Sequence, residues 1–299
     1  MDGRAPLTLP ADAARLQNTP HLTRHTARLV PLDRSLEALP LFRLSDSPDE
    51  GAVSFTDPSG GRWRVIPPPG QRLPGTFDQD VYVELCRRYH EAGSPPDGSV
   101  TFTLHAFLHS IGRRADGRTY EQLRNALARL EKTMLESHGV YWSAAKGTAI
   151  DSSFPVLLAT SVRRRRVAER DQLSLFPTLT SPEPGEARVV LAPAIRSNIA
   201  SGHVSVVTSV TYFGLPSPVA RRLYRLLSAL RPPERSWFIE LEQLAERLPL
   251  AQRFPSHLSR VLEPAHEMLT AAGVVERASI RQRGRQWIAE YLFPEKVYP

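Results

Sequence analysis

The 299-residue sequence predicts a mixed α+β fold in which one small unit occurs twice, and three observations predict it. First, the order helix, short strand, short helix, turn, long helix, strand pair is legible before residue 166 and again after residue 187. Second, the copies lie in net-basic blocks, +3 over residues 75–166 and +4 over 205–299, around a stretch at 167–204 that is −1. Third, each predicted long helix carries an apolar stripe at helical spacing. In the first it is Tyr120, Leu123, Leu127, Leu130 and Met134; in the second it is Leu258, Val261, Leu262, Ala265 and Leu269.

Residues 1–37, with scattered prolines and no sustained period, are read as a flexible tail. Strand signals at Ala52–Thr56 and Arg62–Ile66 follow, joined by the turn Asp57–Gly61. Asp78 can cap a helix over about 79–92, and Gly93 ends it. A strand at Ser99–Thr103, a short helix at Leu104–Ile111 and a turn at Arg113–Gly117 lead into a long helix over about 119–137. Val140–Ala144 and Ile150–Val162 then read as two strands joined at Lys146-Gly147. In the second copy the helix is Pro218–Leu230, the strand Trp237–Glu240 and the short helix Leu241–Leu248. The long helix is Ser256–Ala272, and Val274–Ile280 pairs with Gln286–Phe293. Pro264 is expected to kink that long helix.

This order is that of a winged helix, in which the short and long helices form a helix-turn-helix and the strand pair forms the wing. The expected organisation is therefore two winged-helix domains in tandem, 38–166 and 187–299, joined by a linker at 167–186.

Composition narrows the function. All but three of the 38 basic residues are arginine, a planar fork suited to phosphates and guanine edges, and the net charge is +7. The one cysteine, Cys86, leaves no disulfide framework and no thiolate zinc site. No 18-residue apolar run or signal-peptide core is present, so a bacterial cytoplasmic location is expected. No phosphate-cradling GxxxxGK[ST] motif occurs, and the nine histidines show no metal-ligand spacing. His105 and His109 are i, i+4 but lack an HExxH glutamate. Tyr212 and Tyr224 could be imagined as nickase nucleophiles, but no His-x-His metal signature accompanies them. The expectation is a protein without catalytic residues, metal or cofactor.

The residue types that could contact double-stranded DNA are grouped. On the first long helix, Gln122, Asn125 and Arg129 share a face, with Arg118 and Thr119 at its N-terminal end. Asn and Gln can pair with adenine and Arg with guanine, and recognition helices read bases mainly through their N-terminal residues. Lys146 marks the first strand pair, and Arg163, Arg164, Arg165 and Arg166 leave it. The second long helix offers His257, Ser259 and Arg260. The second strand pair carries Arg277, Arg281, Arg283 and Arg285 with no acidic residue between them, an arrangement that fits phosphates or a minor groove. For each of these groups an ordinary solvated charged face is the competing reading.

The linker holds Gln172-Leu173-Ser174-Leu175-Phe176. Short apolar anchors on a polar segment are how peptides dock into a partner's groove. The pentapeptide resembles the bacterial sliding-clamp-binding motif at all of its positions. The competing reading folds Leu173, Leu175 and Phe176 back onto a domain.

Four segments carry a wider resemblance: Leu39-Pro-Leu-Phe-Arg-Leu-Ser45, Thr76-Phe-Asp-Gln-Asp-Val81, Thr119–Leu130 and Phe213–Tyr224. From about residue 38 to the C-terminal end, the chain resembles the plasmid replication initiator protein A family. The resemblance implies two winged-helix domains that bind repeated origin sequences, help open adjacent AT-rich DNA and recruit host replication proteins. Related initiators touch the sliding clamp through a linker or loop. The Pro-rich tail and the second helix pair depart from many members. A winged-helix (auto)repressor and a protein-interaction scaffold remain the alternative readings, and a homodimer is compatible with each.

Overall fold

A computed structural model describes residues 28–44, 53–162, 186–250 and 254–295. It contains helices and four small antiparallel sheets. Strand β1 (Leu29–Asp33) leads into the one-turn helix α1 (Arg34–Glu37), which Asp33 caps by accepting the N–H groups of Ser35 and Leu36. Strands β2 (Val53–Thr56) and β3 (Arg62–Ile66) form a hairpin. Helix α2 (Thr76–Glu91), β4 (Ser99–Thr103), the short helix α3 (Leu104–Ser110) and the long helix α4 (Gly117–Lys132) follow. Then come β5 (Met134–Ser143), β6 (Thr148–Pro155), β7 (Leu157–Val162) and β8 (Glu186–Leu191).

The second half opens with α5 (Pro193–Ala200), β9 (Val204–Thr208) and α6 (Ser209–Gly214). It continues with α7 (Pro218–Leu230), β10 (Ser236–Glu240) and α8 (Leu241–Arg247). Helix α9 (Pro255–Ala271), β11 (Arg277–Arg283) and β12 (Gln286–Leu292) complete it.

The strand orders are β2-β3-β5-β6, β4-β8-β7 and β10-β12-β11, with β1 paired to β9. Trp63 anchors the four-stranded sheet: its indole N–H donates to the carbonyl of Pro40 at 2.7 Å, and its ring lies against Tyr141 and Phe154. The buried apolar side chains form one continuous cluster that runs through both halves.

Several expectations change. Residues 29–37, placed in the tail, form β1 and α1, and Val30, Leu32 and Leu36 are buried. The long first helix stops at Lys132, because Thr133 turns extended and Met134 starts β5, paired to Ile66 of β3. The strands around Lys146 extend the β2–β3 hairpin into a four-stranded sheet. The strand pair that completes the first helix set is β7 and β8, lying beside β4. Val162 pairs with Ala187, so the expected inter-domain linker joins two adjacent strands of one sheet. The crossing to the second half comes later, where α5 leads to β9 and β9 pairs with the N-terminal β1. In the second half, α9 runs unbroken through Pro264, whose ring faces solvent. The helical acceptor that loses its donor there is the carbonyl of Arg260, also on the exposed side, where water can serve it.

Candidate nucleic-acid interface

Helix α4 begins with a reciprocal cap. The Asp116 carboxylate accepts the Thr119 N–H at 3.0 Å, and the Thr119 hydroxyl accepts the Asp116 N–H at 3.0 Å. The Thr119 N–H is the first cause holding the Asp116 carboxyl below the usual range. Thr119 is thereby half-buried and committed to the cap, its hydroxyl donating to the Arg114 carbonyl at 2.6 Å. Leu123, Ala126, Leu127 and Leu130 turn inward, leaving Arg118, Gln122 and Asn125 exposed on one face at spacings of four and three. None of these three has an ion-pair partner among the described residues.

Arg129, next along that face, has a different role. Its Nε and Nη2 donate to the two oxygens of Asp78 at 3.0 and 2.8 Å, tying α4 to α2. A guanidinium held bidentate on a carboxylate that is only 2% exposed is not available to a base edge. Burial raises the Asp78 carboxyl, opposed by Arg129. On the other side, Glu84 of α2 accepts from Arg87, Arg88 and Ser110, which fastens α3. The two helices of the first pair are thus held to α2 by its carboxylates. Arg113 and Arg114, in the turn between them, are exposed, and the Arg113 guanidinium lies 5.8 Å from the Phe77 ring centre. The sequence marks this stretch as a polar turn, and the two arginines just ahead of a capped helix are the signal that it carries more.

On α9, Arg260 is exposed while His257 and Ser259 are half-buried. Glu263 and Glu267 share the Arg260 face, so this helix presents mixed charge. The positive charge sits on the strand pair. Arg281, Arg283 and Arg285 are exposed around a two-residue turn, where Arg283 pairs with Gln286 and Gly284 takes φ +63, while the exposed Arg277 lies at the far end of β11, paired with Leu292. Arg281 reaches Glu290 at 3.1 Å; the other three have no ion pair among the described residues. Trp287, beside the turn, is 37% exposed. Lys146 is exposed at the β5–β6 turn, on a different sheet from β7 and β8. Arg163–Arg166 and Gln172–Phe176 lie outside the described residues.

Tyr212 and Tyr224 are buried. The Tyr212 hydroxyl donates to Asp80 at 3.0 Å, and that of Tyr224 accepts the Thr208 N–H at 3.0 Å. Burial pushes the Cys86 thiol up, away from nucleophilic use. Among the described residues, no group of His, Cys, Asp or Glu side chains could hold a metal ion, and no helix is long and apolar enough to cross a membrane.

These features define a basic α+β protein with unpaired polar and arginine side chains on one helix face and one hairpin tip. The family model described as "Replication initiator protein A" matches residues 32–268, and the chain belongs to that family. Over 80 residues it is 31% identical to a protein of Wigglesworthia glossinidia brevipalpis described as "Putative replication protein". That match covers 25% of this chain and 29% of the relative. Two solved structures of domains 2 and 3 of RctB share its fold, at TM-scores of 0.51 and 0.50 and 13% identity. Each covers 88% of this chain, with 99% and 97% of the RctB chains matched.

Proposed function

We propose that the chain is a replication initiator that binds repeated double-stranded origin DNA through two winged-helix units, without catalysis of its own. In the first unit, α3 and α4 are the helix-turn-helix and β7–β8 the wing; in the second, α8 and α9 pair with β11–β12. The observation that carries the reading is the exposed, unpaired set Arg118, Gln122 and Asn125 at the start of a capped helix. Gln122 and Asn125 read base edges, while Arg118, Arg113 and Arg114 meet phosphates. The second unit contributes mainly its arginine-tipped hairpin, together with the exposed Arg260 of α9. Membership of the initiator family supports origin repeats as the target.

The segment Gln172–Phe176 docks onto the sliding clamp. Its place in the chain, between the paired strands β7 and β8, supports a clamp contact made from the same unit that approaches DNA. Footprinting on the DNA flanking the gene tests the main reading: protected direct repeats are expected, with an affinity that falls steeply with salt. Uniform protection with a shallow salt slope removes it. For the clamp, Leu175→Ala with Phe176→Ala abolishes clamp capture and leaves the footprint unchanged; retained capture removes that part alone.

A further inference from the structure

Three consecutive buried residues at the start of α2 reach separate parts of the molecule. Asp78 grips Arg129 of α4 and accepts the Gly75 N–H at 2.6 Å. Gln79 accepts from Arg225 Nη2 at 3.0 Å and donates to the Pro218 carbonyl at 3.3 Å, both on α7. Asp80 accepts from the Tyr212 hydroxyl of α6 at 3.0 Å and from Arg221 Nη1 of α7 at 2.6 Å. Arg221 is oriented in turn by the carbonyls of Leu215 and Phe213, at 2.7 and 3.3 Å. Helix α7 packs on α9, the long helix of the second half. A single helical turn therefore connects α4 on one side to α7, and through it to α9, on the other.

The chemistry of these contacts differs from that of the core around them. Apolar faces such as Leu223, Leu226 and Leu227 of α7 supply adhesion, but apolar burial is non-directional and tolerates sliding. Short charged hydrogen bonds do not. A shift of α7 along α2 would strand the Asp80 carboxylate, 3% exposed, without its cation. An unpaired buried charge is among the costlier states a protein can adopt. The three bonded side chains thus act as a register pin between the two halves.

We infer that Asp78-Gln79-Asp80 fixes the separation of α4 and α9, and so the half-site spacing on DNA that the chain accepts. These are positioning residues, and the inference rests on the DNA-binding reading above. The test uses the full chain and duplexes carrying both half-sites at the footprinted spacing, or with one or two base pairs added or removed. In competition binding, wild type disfavours the altered spacings by about tenfold, the scale of one mismatched contact. Asp80→Asn reduces that discrimination to less than about threefold, and the milder Tyr212→Phe reduces it in part. Affinity for an isolated first half-site stays unchanged in both, a result that general loosening of the fold would not give. Asp78→Asn instead lowers base discrimination within the first half-site. Equal affinity of wild type for all spacings overturns the inference, as does an unchanged profile in folded Tyr212→Phe and Asp80→Asn. A wild-type chain that gives no sequence-specific footprint overturns the DNA-binding reading itself.

Discussion

Helices α4 and α9 occupy equivalent places in two copies of one element order, yet they are built differently. Helix α4 opens on the reciprocal Asp116–Thr119 cap and presents an exposed face free of unpaired carboxylates at Arg118, Gln122 and Asn125. Helix α9 opens on Phe254, 72% exposed and without a side-chain cap, followed by Pro255. Its outer face alternates Arg260 with Glu263 and Glu267, and the basic charge has moved to the β11–β12 turn. A shared order of elements therefore sets where a contact surface lies but not its chemistry. On the proposed function, the first unit makes directional contacts from a helix and the second makes charge contacts from a hairpin.

The join between the units gives the largest effect. Arg222 and Arg225 are fully buried at Glu37, and burial pushes Arg222 down to about 9, with the neighbouring Arg225 cation adding to the effect. Glu37→Gln leaves two buried cations without their carboxylate and is expected to cost about 3 kcal/mol in urea unfolding. A loss below about 1 kcal/mol would mean that the main-chain carbonyls of Glu37 and Leu39, which also hold Arg222, suffice.

DNA binding should separate the helices next. Asn125→Ala is expected to weaken specific binding by about 2 kcal/mol and relax base preference at one position. Arg283→Ala, on the second hairpin, should lower affinity for all sequences alike and reduce the salt slope by about 1. Filter-binding titrations over several salt concentrations read both; exchanged outcomes would reverse the assignment of roles.

The two halves also respond oppositely to pH. Burial raises the Asp33 carboxyl to about 7, against hydrogen bonds from Tyr141, Asn198 and the Leu36 and Ser35 amides that lower it. The folded state therefore favours its protonated form, and the stability it contributes at low pH is lost as pH rises from about 4 through 7. Burial lowers His266 to about 4, so its contribution is present above the usual histidine range and lost as pH falls towards 4. The two slopes oppose each other. Asp33→Asn should steepen the loss of stability on acidification by up to about 1.4 kcal/mol per pH unit, and His266→Gln should flatten or reverse it. Thermal melts at pH 4.5 and 7 check the signs; parallel shifts in both variants would contradict them.

The smallest expected effect is at the caps. Asp116→Ala removes a cap bond and should cost about 1 kcal/mol, whereas Phe254→Asp supplies one to α9 and should add up to about 1 kcal/mol. Melting temperatures moving in the same direction would refute the asymmetry.

Local periodicity made α2, α4, α7 and α9 legible, and the pairing of β11 with β12 as well, since each depends on residues close in sequence. Strand β11 nonetheless starts at Arg277, not Val274, and runs through Arg281–Arg283, which the sequence places in the turn. Strand partnership was not local. The β5–β6 strands lie next to α4 in sequence and so read as its wing, while the partner of β4 is β8, which begins at Glu186. Arg129 shows the same limit within the site. Its spacing puts it on the exposed face, but Asp78, distant in sequence, takes it out of use. Leu29–Asp33 looked like tail because Pro31 interrupts a short apolar run; only β9 makes it a strand. Asp78 is expected ahead of the helix, but α2 begins at Thr76 and Asp78 sits in its first turn, accepting the Gly75 N–H; Asp80 gave no sign of its reach across the molecule.

The pairing of Val162 with Ala187 also has an engineering consequence. The polypeptide leaves the sheet and returns to it at neighbouring positions, so the ends of the intervening stretch are held one strand spacing apart whatever its length. Closing a flexible chain across such a gap costs only about 0.6 kcal/mol more for each doubling of length. A fluorescent reporter or affinity tag spliced between those two residues should therefore leave the rest of the architecture standing.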